Sequence, residues 1–212
     1  MMRYLVAVLA ASFAASGAGP SLVDAAHSRD LAQVRALLAE KSDPNSASAD
    51  GATALHWAAH WDDTVMADVL VRAGADVNAR NRYGVTPLVL ACSNGSAAMV
   101  ELLLKGKADP NVTSGDGESA LMTVARTGSI KAMELMIASG ANVNAKEQWR
   151  GQTPLMWAAA EGHAGAVRIL LAAGAEVNTR SKAGFTPLLF AVREGRTEAV
   201  KAFLKAGASP NE

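Results

Sequence analysis

Thr153-Pro154-Leu155-Met156-Trp157-Ala158-Ala159-Ala160-Glu161-Gly162-His163 and, further on, Gly174-Ala175-Glu176-Val177-Asn178 read together as a pair of helices closed by two turns. Thr153 offers a hydroxyl to a free helical N–H, and Pro154 takes the first helical position, where a missing N–H costs nothing. Ala158 and Ala159 leave one side of this first helix thin, so that a neighbouring helix can approach. Gly162 supplies the left-handed residue that ends it. Between Gly162 and Gly174, Val167, Leu170 and Leu171 recur at a helical period and mark a second apolar helix. One such pair cannot bury both of its faces alone.

The same unit runs through the whole chain. Leu22, Leu55, Leu88, Leu121, Leu155 and Leu188 stand 33, 33, 33, 34 and 33 residues apart, and Asn45, Asn78, Asn111, Asn144, Asn178 and Asn211 repeat those intervals. Two ladders that share one insertion define a repeat. Thr53, Thr86, Ser119 and Thr186 stand where Thr153 does, and Val34/Leu37/Leu38, Val100/Leu103/Leu104, Met133/Met136/Ile137 and Val200/Phe203/Leu204 are the matching second-helix stripes. Stacking such units buries the faces that one leaves open, and six exceed the roughly three that a solenoid needs. Thr53-Ala54-Leu55-His56, Thr86-Pro87-Leu88 and Gly74-Ala75-Asp76-Val77-Asn78 carry a resemblance to the ankyrin-repeat family, over Pro20 to Glu212. The resemblance implies an all-α solenoid of stacked helix–turn–helix units with short hairpins. Its repeats fall at residues 19–47, 48–80, 81–113, 114–147, 148–180 and 181–212.

Departures from the repeat locate strain. Lys41 and Lys107 occupy the turn position held by Gly74, Gly140, Gly174 and Gly207, while Arg29 and Asp62 replace the Gly between the two helices. Each is expected in the left-handed region, at roughly 1–2 kcal/mol for a residue with a Cβ, the alternative at Lys107 being that the neighbouring Gly106 takes the turn. The one 34-residue interval falls in Lys146-Glu147-Gln148-Trp149-Arg150, where an insertion is cheap and the hairpin should project further than its neighbours. The last unit, with Ala199, Val200, Ala202, Phe203 and Leu204, looks internal rather than polar on its outer face, so its final helix is expected to fray.

Before the repeats, one charge at Arg3 precedes an uncharged run from Tyr4 to Ala18, too short to span a bilayer but suited to the apolar part of a secretory signal. A signal peptide over residues 1–18 and an exported, periplasmic or secreted protein are the expectation. The competing reading is an uncleaved apolar helix on a cytoplasmic scaffold. Lys plus Arg and Asp plus Glu both total 20, a balance that argues against nucleic acid and anionic membrane as partners. The single Cys closes no intramolecular disulfide and excludes Cys-rich zinc modules.

No catalytic, cofactor or metal residues are assigned. His56-Trp57-Ala58-Ala59-His60 spaces two His as a helical zinc site does, but Trp57 stands where the general base belongs. His56 closes the Thr-Ala-Leu-His turn, as the resemblance implies, and His27 and His163 read as structural. Cys92 takes a core Ala position and should be inert. Asn94-Gly95-Ser96 and Asn111-Val112-Thr113 match the glycosylation pattern, yet both Asn have turn roles. No small-molecule substrate is evident. The remaining surface is expected to bind a protein, through hairpin tips and exposed first-helix ends carrying His60, Trp61, Arg82, Tyr83, Val85, Arg126, Trp149, Arg150, Phe185 and Arg193. A different reading makes the chain the N-terminal portion of a longer protein whose catalytic or sensory part lies beyond Glu212.

Overall fold

The computed structural model describes residues 20–115 and 117–210; the run read as a signal peptide and the ladder residue Asn211 lie outside them. Twelve helices follow one another in pairs among the described residues: α1 (Leu22–His27) and α2 (Leu31–Ala39), α3 (Ala54–His60) and α4 (Thr64–Arg72), α5 (Pro87–Asn94) and α6 (Ala97–Lys105), α7 (Ala120–Thr127) and α8 (Ile130–Ala138), α9 (Pro154–Glu161) and α10 (Ala164–Ala172), and α11 (Pro187–Arg193) and α12 (Thr197–Lys205). First helices pack on first helices and second on second, which gives two helical layers. The described residues hold only two isolated β-bridges, Ala47 with Thr53 and Thr113 with Ser119, at the necks of hairpins.

Local chemistry sets the helix starts. The hydroxyls of Thr86, Ser119, Thr153 and Thr186 accept from the N–H three residues on, at 3.2–3.3 Å. Thr53 differs because its hydroxyl lies 2.9 Å from His56 Nδ1. The core runs unbroken along the stack, with all of the ladder's leucines buried between the layers. On the second helices the fully buried stripe is rotated by one residue from the expected one: Met99, Val100 and Leu103 are inaccessible while Leu104 is half-buried. Ala132, Met133 and Met136 repeat the arrangement. In the last helix Phe203 and Ala199 are buried, but Leu204, expected in the stripe, is 48 % exposed.

The ladder of asparagines stitches each hairpin to the next. Asn45 Nδ2 donates to the Gly74 carbonyl at 3.2 Å while its Oδ1 accepts from Asp76 N at 2.7 Å. Asn78 does the same to Lys107 and Asp109, Asn111 to Gly140 and Asn142, and Asn144 to Gly174 and Glu176. Both donors and acceptors of the side-chain amide are used, which only Asn at this length supplies. At the other edge, Ser129 Oγ, His163 Nε2 and Arg196 Nε bond the carbonyls of Gly95, Arg126 and Ala160 in the preceding repeat.

The four expected strain points all have positive φ: Arg29 at 61°, Lys41 at 65°, Asp62 at 55° and Lys107 at 69°. Gly106 does not take the turn, with φ of −74°. A Cβ there would lie 3.0 Å from Val77 Cγ1 and 3.2 Å from the Leu103 carbonyl, so Gly106 serves close packing and the next residue must turn left-handed. Lys107→Gly is therefore expected to raise the unfolding free energy by about 0.5–1 kcal/mol, relief of strain exceeding the added freedom of the unfolded chain. A lowered urea midpoint would contradict it. At Gly174 a Cβ meets nothing within 4 Å, so Gly174→Lys should cost a similar amount through φ alone.

Candidate functional site

Hairpin tips and first-helix ends share one face of the stack, and the register explains which side chains reach it. Trp57, Trp157 and Phe190 each stand two residues after a ladder leucine, and His60, Arg126 and Arg193 stand five after. Positions three apart on a helix lie side by side. The face therefore carries aromatic and basic groups in two clusters.

The first cluster joins repeats one and two. The rings of His27 and Trp57 lie 4.1 Å apart, His60 and Trp61 lie 4.6 Å apart, and Trp57 is within 6.1 Å of Trp61. Trp61 Nε1 donates to the His27 carbonyl at 3.2 Å and Arg29 lies over the Trp61 ring at 5.9 Å. Burial, with the His27 ring nearby, holds His60 below its ordinary pKa. Trp57 and His27 were not among the expected contact residues. No group of three or more metal-ligating side chains occurs among the described residues.

The second cluster is built around the lengthened hairpin. Glu147, 5 % exposed, turns its carboxylate inward, where it accepts from the backbone N–H groups of Trp149 at 2.6 Å, Arg150 at 2.8 Å and Gln152 at 2.8 Å. Burial alone would push its carboxyl up, but those amides and the Lys182 charge together hold it below the usual carboxylate value. The hairpin is braced further by Lys182 N donating to the Arg150 carbonyl at 2.8 Å. With the loop fixed from inside, Trp149 stands 76 % exposed, the most exposed large apolar side chain described. Arg126 lies over the Trp157 ring at 5.5 Å, and Arg193 over Phe190 at 5.1 Å and Phe185 at 5.6 Å. Two adjoining clefts of about 440 and 410 Å³ share Trp149, Arg150, Gln152, Phe190 and Arg193.

Glu147→Ala removes the acceptor for three backbone donors. A loss of about 1–3 kcal/mol in stability is expected, with faster amide exchange confined to Trp149, Arg150 and Gln152. The depressed carboxyl contributes fully above the unfolded value of 4.5 and less as pH falls through the lower folded value. Unaltered exchange at these three amides would mean that the carboxylate does not hold the hairpin.

Of the residues expected on this face, Trp149, Arg150, Phe185 and Arg193 come together around one cleft. His60 and Trp61 form part of the first cluster. Between the clusters stand Arg82 and Tyr83 on their own hairpin, with Tyr83 47 % exposed, Arg82 N bonded to the Asp50 carbonyl at 2.8 Å and its guanidinium on the Ala49 carbonyl. Val85 is a correction. It is 8 % exposed and packed in the core, its backbone held by the His56 ring of the preceding repeat on its carbonyl and by Asn81 Oδ1, which accepts from its N–H at 2.9 Å. Trp157 and Lys182, which line the clefts, were missed; Phe190 and Trp57 border the face too but, at 5 % and 7 % exposed, belong to the core as Val85 does.

The other sequence candidates have structural positions. Cys92 is fully buried, and burial pushes its thiol far up. Asn94 Nδ2 donates to the Ala59 and His60 carbonyls at 3.0 Å, so glycosylation there, which replaces one amide hydrogen, would break a bond between repeats, and Asn111 Nδ2 donates to the Gly140 carbonyl at 3.1 Å. A Cβ on Gly128 would stand 2.7 Å from the His163 ring, whose Nε2 is engaged by the Arg126 carbonyl.

A two-layer stack of helix pairs with this stitching is the architecture of ankyrin repeats. The family model for ankyrin repeats (3 copies) matches residues 22–114 and 121–212, and the chain belongs to the ankyrin-repeat family. It is similar to a solved ankyrin repeat protein, EF0377, at 27 % identity with a TM-score of 0.80, covering 87 % of this chain and 96 % of that one. No protein in the curated comparison matches. Ankyrin repeats are protein–protein interaction modules, and that is the class to which the family and fold assign the chain. With 585 solved chains matching, the fold alone selects no partner.

Proposed function

We propose that this protein is an exported, non-catalytic binding module whose partner docks along the face of hairpin tips and first-helix ends. The observation that carries the reading is Trp149: a large aromatic side chain held in water on a hairpin whose backbone is fixed from beneath by Glu147. Exposing an indole this far gains the fold nothing, whereas a preorganised aromatic contributes binding energy at little further entropic cost. Export rests on the apolar run from Tyr4 to Ala18 after Arg3. Among the described residues no helix is long and apolar enough to cross a membrane.

The test is affinity capture from the source cell with the wild-type chain and with a triple variant, Trp61→Ala/Tyr83→Ala/Trp149→Ala. A protein retained by the first and lost with the second supports the reading. Equal retention by both moves the interaction elsewhere. Mass spectrometry of the mature N-terminus tests export, and an intact Met1 would refute it.

A further inference from the structure

The two adjoining clefts of the second cluster differ in charge. The smaller one is lined by Arg150, Lys182 and Arg193 together with Trp149, Phe185 and Phe190, and by no carboxylate. Among the described residues neither Arg150 nor Lys182 has a carboxylate within ion-pair distance; Lys182 Nζ donates to the Gln148 carbonyl instead, and Arg193 reaches only the exposed Glu194 at 2.9 Å. Three cations thus line this cleft while the acidic groups that act on them, Glu147 on Lys182 and Glu194 on Arg193, lie outside its lining, so an anion seated in the cleft meets only positive side chains. The larger cleft continues from it over the half-buried Trp157 and Ala160 and is lined as well by Glu118, Glu147 and Glu161, so the cationic character is confined to the smaller one. Trp157 Nε1 is buried there without a hydrogen-bond partner among the described residues, a donor with no acceptor of its own. The whole chain carries no net charge, so the preference is local to this cleft.

We infer that the cleft between the lengthened hairpin and α11 receives an acidic peptide segment of a partner protein, an Asp or Glu side chain among Arg150, Lys182 and Arg193 with a neighbouring large apolar side chain over Trp157 and Ala160. The inference rests on the protein-binding reading and adds the chemistry of what is bound. The arrangement suits a peptide rather than a free anion, because the cationic end opens directly onto Trp157 and Ala160 through five shared residues. Guanidinium groups stacked on rings keep their N–H edges turned outward for a carboxylate, and Arg193 lies over Phe190 in that way, its Nε on the exposed Glu194 and its terminal nitrogens left for a second acid. Complementary charge sets specificity and speeds encounter, and the attraction weakens as salt rises.

The full chain, immobilised, is to be screened with a random-peptide display library, and the enriched sequences resynthesised for anisotropy titration. Enriched peptides should pair Asp or Glu with a large apolar residue, and their affinity should fall by on the order of 30-fold in Arg150→Glu/Arg193→Glu. The same variant should favour peptides in which Lys replaces the acid, at an unchanged thermal midpoint. Enriched peptides without acidic residues, or affinities indifferent to the charge reversal, would overturn the inference. If such peptides still lose affinity in Trp149→Ala, the protein-binding reading stands without it. No enrichment on this face would overturn both.

Discussion

Replacement of His56 by Ala is expected to lower the unfolding free energy by about 2–4 kcal/mol, the sum of a cavity and two orphaned polar groups. The imidazole is inaccessible to solvent. Its Nδ1 accepts from the Thr53 N–H at 3.1 Å, which leaves the proton on Nε2 to donate to the Val85 carbonyl at 3.0 Å in the next repeat. One ring thus closes a turn and fastens the following hairpin, and Ala leaves both backbone groups buried without partners. Burial depresses the ring's pKa from 6.5, more than the Val85 bond and the Asp50 and Asp76 charges raise it. A His that stays neutral in the fold but takes a proton when unfolded gives full stability above pH 6.5, and the stability declines as pH falls below that value. Urea unfolding at pH 7.5 and 5.5 should show the wild type weaker at the lower pH and His56→Ala less affected by the change. An equal pH effect in both would assign the acid sensitivity to other groups, His60 first among them.

Trp149→Ala should leave the fold nearly untouched and cost the interaction on the order of 30-fold in affinity, about 2 kcal/mol. The side chain is 76 % exposed, so truncation sacrifices little burial, and a change in stability within about 0.5 kcal/mol is expected. The hairpin keeps its shape in the variant, because Glu147 bonds the backbone N–H of residue 149 and not the indole. Thermal midpoint and partner retention, measured together, decide the matter. A large fall in the midpoint with undiminished binding per folded molecule would mean that Trp149 packs on its own chain, and the face would lose its centre.

The repeat register was readable because Leu155 and Asn178 recur with their whole neighbourhoods, and aligning the units was enough to place Arg29, Lys41, Asp62 and Lys107 in left-handed turns. What the asparagines do was hidden. A turn residue predicts a bond within its own turn, whereas Asn144 spans to Gly174 and Glu176 in the next one, a contact that exists only once units are stacked. The face was legible in part for a related reason. Trp149 lies in the one lengthened loop and could be found by counting, but Trp157 and Phe190 look like any apolar residue of a first helix. Whether such a ring is covered depends on the side chain that the next repeat places beside it. Val85 erred in the opposite direction: its place on a hairpin suggested exposure, yet it packs in the core with its carbonyl bonded to His56, a contact between repeats that one unit's sequence does not reveal.

The row of asparagine amides also has a mechanical meaning. Each rung clamps two backbone groups of the following turn, so a pull applied along the stack is carried from rung to rung as through the links of a chain, every link bears the same load, and the weakest opens first. The links are unequal. From Asn45 to Asn144 each holds a carbonyl and an amide at 2.7–3.2 Å, while Asn178 reaches Ser209 N at 3.5 Å, with no second bond among the described residues. Extension would therefore release α11 and α12 before the interior pairs, and those helices carry Arg193 and Phe190 of the charged cleft. Tension on the molecule would dismantle half of that cleft while the hairpin bearing Trp149 remained in place.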